Sequence, residues 1–426
     1  MGKWHRRLAA LLFAGVTLHL TSFGSGHAAD RYIQVKLQDD TEINVEVADA
    51  AGSLLIVWFI DHDEVRPQFE AMLKAVNASG IEVWRVDLLA DYFLPRSNES
   101  VRTLSGEGVA AVIDAAHEHS DKTILLAAYD RMPLPLLRGV RRWSAAFQGE
   151  SRLAGSILYY PNLFGPPPLA GESPLLDPVV AASNYPLVIV QPETGSQRWR
   201  LNDLMQAFWS AGAPAYVSLV PEVRDWFFMH PPGADARETR ATAAVPREIT
   251  KFASLLQSEP KPEAVIEIDT GSPGRAKVSG LVPFTGQLPA PPLNLSELEG
   301  GYLFPGYQSK ITLINFWATW CPPCVEELPS LNRLKRRLAG QPFNLVSVDF
   351  RETAAELRQF TKKIAVEFPI MLDLDGQASL AWRVFSFPSS FLVDHRGNIR
   401  YSINRAIDWD TPEVYAIVES LLAEMK

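Results

Sequence analysis

Cysteine is nearly absent from this sequence: among 426 residues there are two, Cys321 and Cys324. That scarcity excludes a structural disulfide framework, which needs more cysteines spread along the chain. No second cysteine pair exists to complete a zinc site, and Val325 stands where a haem attachment motif would need histidine. Long apolar runs are missing too. The longest, Leu8–Leu20, falls short of the roughly 20 residues a membrane-spanning helix requires. There is no basic block and the net charge is −9, so nucleic acid is not an expected partner. No internal repeat is visible.

What is present reads as an ordinary globular chain, 47% hydrophobic and 21% charged, long enough for two or more domains. Lys3, Arg6 and Arg7, then the short apolar run, then Gly26-His27-Ala28 have the order of a secretory signal peptide. Residues 1–28 are therefore expected to direct export to the periplasm and to be removed. In an oxidising compartment, two cysteines spaced C-x-x-C are most simply a redox pair.

From Arg31 to Gln257 short β-rich runs alternate with helical stretches. Strands are expected at Tyr32–Leu37, Glu42–Val47, Leu54–Phe59, Glu82–Asp87, Thr123–Ala128, Ser156–Tyr160, Leu187–Gln191 and Ala215–Val220. The first two alternate apolar and polar residues, as in a half-exposed antiparallel hairpin. The later ones are continuous apolar runs, as in strands covered on both faces. Helices are expected at Val65–Ser79, Val101–His119 and Leu201–Ala211. Eight strands with this rhythm predict an open, mostly parallel α/β sheet over residues 31–257. Residues 258–282, rich in Pro, Gly, Ser and Glu, read as a linker.

A second domain is expected over 283–426. Strand Ile311–Trp317 leads into Trp320-Cys321-Pro322-Pro323-Cys324, and a helix follows with Leu328, Leu331, Leu334 and Leu338 on one face. Strand Asn344–Phe350, helix Ala354–Ile364, strands Phe391–Asp394 and Ile399–Ile403 and helix Pro412–Met425 complete it. Thiol–disulfide exchange proceeds through a thiolate. Cys321 at a helix start would have its negative sulfur stabilised by unpaired N–H groups and the helix dipole. Pro322 and Pro323 cost little in a first turn, whose N–H groups lack intrahelical partners anyway. Cys324 can then resolve a mixed disulfide formed on Cys321.

The run Trp317-Ala-Thr-Trp-Cys-Pro-Pro-Cys-Val-Glu-Glu-Leu-Pro resembles the active-site signature of the TlpA-like (redoxin) branch of the thioredoxin family. The resemblance covers residues 283–426 and implies a thioredoxin fold. It also implies an exported enzyme, of a kind that mostly acts as a reductant in cytochrome c maturation, copper-site assembly or disulfide repair. It assigns the active-site proline, usually cis, to Pro388, with Phe387 and Trp320 contacting the substrate chain. It assigns a proton-transfer acid to Glu327, six residues after Cys321. The position six residues before Cys321, acidic in many thioredoxins, holds Asn315.

The eight-strand rhythm of residues 31–257 resembles an α/β-hydrolase domain. That family's nucleophile turn would fall at Ala128-Tyr129-Asp130-Arg131-Met132, which carries Asp130 and no serine or glycine. Its acid would be Glu193 after the seventh strand, and its histidine His230 after the eighth. Ile60-Asp61-His62-Asp63 lacks the glycines an oxyanion hole needs. The resemblance thus implies a degenerate hydrolase serving as a binding or scaffolding module. His117-Glu118-His119 and Asp61-His62-Asp63-Glu64 resemble metal ligands only in composition. They read as solvated polar clusters where a helix ends or a loop begins. The Pro166-Pro-Pro stretch reads as a stiff surface loop.

The expected function is an exported thiol–disulfide oxidoreductase that reduces protein disulfides, with no cofactor and no metal. Its partners would be a disulfide-containing client and a membrane thiol–disulfide carrier that resupplies electrons. The competing expectations are an esterase-type hydrolase with a redox-sensing thioredoxin module, and a binding protein whose front domain recruits clients.

Overall fold

The computed structural model describes residues 31–61, 66–147, 150–165, 174–231, 233, 235–268, 280–284, 289–301, 304 and 306–425. The signal segment, the Pro166-Pro-Pro stretch, His62-Asp63-Glu64 and residues 269–279 of the expected linker lie outside them. The chain forms two compact units.

The first unit is an α/β sheet of eight strands: β1 (Arg31–Lys36), β2 (Glu42–Ala48), β3 (Leu54–Phe59), β4 (Glu82–Val86), β5 (Thr123–Tyr129), β6 (Leu153–Tyr159), β7 (Leu187–Pro192) and β8 (Ala215–Val220). They lie in the order β1-β2-β4-β3-β5-β6-β7-β8. The β1–β2 and β2–β4 pairs are antiparallel and all others parallel. Alternation in β1 and β2 buries Ile33, Val35, Ile43 and Val45 and leaves their neighbours outward. β3 instead sends Leu55, Val57 and Phe59 into one core and Ile56 and Trp58 into another. Both faces of the central strands are therefore covered, as continuous apolar runs require.

Helices α1 (Pro67–Ala78), α2 (Leu88–Asp91), α3 (Asn98–Thr103), α4 (Glu107–His119), α5 (Pro133–Ala146), α6 (Pro178–Ala181), α7 (Leu201–Ser210) and α8 (Ala236–Ser258) supply that cover. Helices α1 and α8 pack on one face, and α4, α5 and α7 on the other. The single helix expected over Val101–His119 is two. Gly106 breaks it in a left-handed conformation, φ 87°, where its missing Cβ lets α5 come close. A Cβ there would lie 2.4 Å from the backbone nitrogen of Gly139.

The expected linker is not free at its start. Lys261 Nζ donates to the carbonyls of Leu256 and Ala154, Asn184 to that of Ala264, and Arg141 to that of Ile266. Residues 261–266 are thus tied to the first unit by chain-distant hydrogen bonds that composition does not reveal.

The second unit is a thioredoxin fold. Its strands are β9 (Val282–Pro283), β10 (Ser296–Glu297), β11 (Ile311–Trp317), β12 (Phe343–Phe350), β13 (Ile370–Asp373), β14 (Ser389–Val393) and β15 (Ile399–Ile403). They run in the order β10-β13-β12-β11-β14-β15-β9. β11, β12 and β13 are parallel, β14 pairs antiparallel with β11, and β15 pairs antiparallel with β14. Helices α9 (Pro322–Arg337), α10 (Ala354–Thr361), α11 (Gln377–Ala381) and α12 (Pro412–Ala423) complete it. β13 and α11 were not expected: a four-residue strand and a five-residue helix are too short to show a period. β11 is buried over its whole length and ends directly before the cysteines.

Candidate functional site

The first candidate site is where β11 meets α9. Cys321 is the N-cap of α9, and Pro322 and Pro323 fill the first helical positions. The N–H of Cys324 points at Cys321 Sγ, 3.3 Å away. A sulfur held there faces the unpaired donors and positive end of the helix, which favour a thiolate. The two cysteines form a disulfide. Cys321 keeps 6% of its surface in solvent and Cys324 none, so an incoming sulfur reaches Cys321 first.

The Phe387–Pro388 peptide bond is cis, immediately before β14, which pairs with β11. Phe387 is half-buried and packs against Phe350 in a tilted pair and against Trp320 edge to face, with ring centroids 4.9 and 5.9 Å apart. Trp320 and Phe387 both pack on the apolar cluster that contains the two cysteines. The expected substrate-contact residues are therefore together, and they make an aromatic surface beside the dithiol.

Glu327 lies one turn after Cys324 and is 3% exposed; it is no surface helix residue. Burial raises its carboxyl to about 7, against hydrogen bonds from Trp409, Asn315 and Ile407 that favour the ion. Asn315 Nδ2 donates to Oε1 at 2.7 Å, and Trp409 Nε1 donates to Oε2 at 3.0 Å. The family resemblance pointed to Glu327, but the sequence carried no sign of Trp409, which lies far along the chain.

A second residue with no motif is Glu352, in the turn after β12. Its carboxylate accepts from both the N–H and the hydroxyl of Thr319, each at 2.6 Å. Thr319 sits two residues before Cys321, so this buried carboxylate holds the turn that presents the sulfur.

The second candidate site is the turn after β5 in the first unit. Asp130 has φ 48°, the strained turn expected of a nucleophile position. Its carboxylate pairs with Arg131 at 2.8 Å. The N–H groups that follow, of Arg131 and Met132, both donate to Asp61 Oδ2 at 2.7 Å. Asp61 is wholly buried, which corrects its reading as a solvated loop residue. Its carboxylate fills the donors an oxyanion would need.

The expected partners of Asp130 do not assemble. His230 Nδ1 pairs with Glu238 of α8 at 2.9 Å, and Glu193 accepts from the N–H of Glu222. No hydrogen bond joins His230 to Asp130 or Glu193. The group after β8 that does sense Asp130 is Asp225. Burial raises it to about 6 against two hydrogen bonds from Ser196, and the charge of Asp130 adds to the rise. A second buried carboxyl, after β8, thus feels the charge of Asp130, while the imidazole of His230 is hydrogen-bonded to Glu238.

His117 of the His117-Glu118-His119 cluster is a packing residue rather than a solvated one. It stacks on Trp143, and its two ring nitrogens meet the carbonyl of Ile113 and the N–H of Arg152. Elsewhere in the first unit, a cavity of about 350 Å³ opens between β8 and α8. Tyr159, Val190, Phe227, Phe252 and Arg240 are among the residues that line it. Among the described residues no helix is long and apolar enough to cross a membrane.

Comparison with known proteins bears on both units. Residues 288–402 match the AhpC/TSA family. Thiol-disulfide oxidoreductase ResA of Geobacillus thermodenitrificans is 33% identical over 112 residues, which is 26% of this chain and 64% of that protein. The chain thus spans a little under two thirds of the length of that curated relative. A solved thioredoxin-family thiol:disulfide interchange protein from Chlorobium tepidum is 24% identical, covering 33% of this chain and 99% of its own, with a TM-score of 0.29. Carboxyl esterase 2 of Tuber melanosporum is 14% identical, covering 54% of this chain and 88% of its own, with a TM-score of 0.41. The second unit is thus an AhpC/TSA-like, thioredoxin-fold domain with ResA-type relatives.

Proposed function

We propose that this protein is an exported thiol–disulfide oxidoreductase that reduces disulfides in client proteins, and that its first unit binds rather than hydrolyses. The observation that carries the reading is the Cys321–Cys324 pair at the start of α9, with only Cys321 open to solvent. In the reduced enzyme the Cys321 thiolate attacks a client disulfide. A mixed disulfide forms and one client thiolate leaves. Glu327 takes the proton of Cys324, whose sulfur then attacks Cys321 Sγ and releases the second client thiolate. Two electrons pass to the client, and Cys321 and Cys324 end as a disulfide. A membrane thiol–disulfide carrier must return those electrons for a second turnover. The aromatic surface of Trp320 and Phe387 favours client segments with apolar side chains next to the cysteine, with the Phe387 backbone pairing to the client chain. Export rests on the charge and apolar pattern of residues 1–28, and periplasmic residence and a role such as cytochrome c maturation rest on the resemblance to exported reductants.

The test is insulin reduction together with a redox titration followed by Trp317 and Trp320 fluorescence. Wild type should reduce insulin, with a potential near roughly −270 mV. Cys321→Ser should lose all activity, and Cys324→Ser should accumulate mixed disulfides. A potential near roughly −120 mV would make the pair an oxidant, and turnover by Cys321→Ser would sink the reading.

For the first unit, the Asp61 carboxylate at the Arg131 and Met132 donors argues against acyl transfer at Asp130. The cavity beside α8 suits a small ligand instead.

A further inference from the structure

Trp409 belongs to the loop between β15 and α12, and two contacts fasten it to α9. Its backbone N–H donates to Ser330 Oγ at 3.1 Å, and its indole Nε1 donates to Glu327 Oε2 at 3.0 Å. With both ends held by one helix, the indole N–H has one direction, and the ring is 1% exposed. Ile407 in the same loop adds its N–H to Oε2 at 3.4 Å. From the sheet side, Asn315 of β11 gives one Nδ2 to both Glu327 Oε1 and Ser390 Oγ, at 2.7 and 3.0 Å. Ser390 is two residues beyond the cis proline.

A carboxyl group ringed by donors is poorly matched to its own protonated form, because an O–H needs an acceptor. Glu327 accepts three hydrogen bonds and meets no acceptor among the described residues. Asn315 offers one nearby: its Oδ1 is buried and has no partner. Turning the amide over would present Oδ1 to the protonated acid. An aspartate at this position would instead place a second charge in the same apolar pocket.

We propose that Trp409 and Asn315 are positioning residues that set when Glu327 holds a proton, and thereby when Cys324 can give one up. The inference rests on the oxidoreductase reading above and on Glu327 as its base. Burial is the largest influence on Glu327, opposed first by Trp409 and then by Asn315 and Ile407. The ionisable side chains on the surrounding elements include Glu326, Arg333, Lys335, Arg336 and Arg337 on α9, Asp349 on β12 and Glu352 in the turn after it, and Arg405, Asp408 and Asp410 in the Trp409 loop. Asp408 and Asp410 are engaged by Arg333, and Glu352 by Thr319. Removing the indole donor leaves burial less opposed, so Glu327 should hold its proton to higher pH.

The experiment uses the full chain in wild-type form and as Trp409→Phe, Asn315→Leu and Glu327→Gln. Infrared difference spectra across pH 5–9 follow the protonated-carboxyl band that Glu327→Gln abolishes. The rate of mixed-disulfide resolution is measured across the same range. Trp409→Phe should move the band midpoint and the acid limb of the rate upward together by about one pH unit. Asn315→Leu should do the same in smaller measure, and carries the test if Trp409→Phe does not fold. A lower melting temperature with an unmoved midpoint and limb would make Trp409 merely structural and overturn the inference. A wild-type pH profile in Glu327→Gln would remove Glu327 as the base and overturn it at its root. Loss of the Cys321 phenotypes, by contrast, would count against the oxidoreductase reading itself.

Discussion

At Glu327 two physical effects oppose each other: burial disfavours the anion, and three N–H donors favour it. Burial wins, so the folded protein holds this proton more tightly than the unfolded chain does. The stability so contributed is full below pH 4.5 and is lost as pH rises through about 7. That loss is on the order of 3 kcal/mol. Glu327→Gln, which cannot ionise, should lack this dependence. Urea unfolding of the oxidised protein at pH 4.5 and pH 8 checks it. The gap between variant and wild type should change in the variant's favour at the higher pH, and a constant gap would contradict the assignment. Asp225 titrates with the same sign near pH 6, so the difference between the two proteins is the quantity to read. The family resemblance around Cys321 pointed to Glu327. Its neighbours were not identifiable, because Asn315 and Trp409 meet it only through the pairing of β11 and the course of the loop before α12.

Among the elements, α4 and α5 depend on contact through two glycines. A Cβ on Gly106 would meet the Gly139 backbone, and one on Gly139 would lie 2.4 Å from the side chain of Val109. The break at Gly106 was hidden because apolar periodicity runs on through Val101–His119 and a lone glycine is tolerated in a helix pattern. Gly106→Ala combines a strained φ with overpacking, and should cost roughly 2 kcal/mol or more. Chemical denaturation would register it as a lower midpoint, and a midpoint within error of wild type would show that the helices can separate freely. Cysteine chemistry should be untouched in the same sample. The start of α9 was readable in advance, because Cys-Pro-Pro-Cys after a buried strand combines a turn, a first-turn proline pair and a helix period in one short run.

For the molecule as a whole, two α/β units with separate cores carry two candidate sites, and they differ in what they are equipped to do. The second unit has a disulfide of which Cys321 alone reaches solvent, and a buried acid beside it in sequence. The first has a strained turn at Asp130 whose donors are taken by Asp61, and a histidine after β8 that is paired with Glu238 instead. The full chain should therefore hydrolyse p-nitrophenyl acetate no faster than its Asp130→Ala variant. A difference of tenfold or more would restore the hydrolase alternative.

The sequence alone determined what is local. Strand and helix rhythm and the dithiol motif lie within short stretches of chain, where periodicity and covalent geometry act directly, and the resemblance carried by that motif pointed to Pro388 and Glu327. Tertiary structure decided what depends on distant groups meeting. It placed Asp61 on the donors after Asp130, gave His230 to Glu238 and brought Asp225 near Asp130. It tied residues 261–266 to the first unit and closed Trp409 over Glu327. These pairings join residues far apart in sequence. Their energy comes from burial and hydrogen-bond geometry, which exist only once the chain has folded.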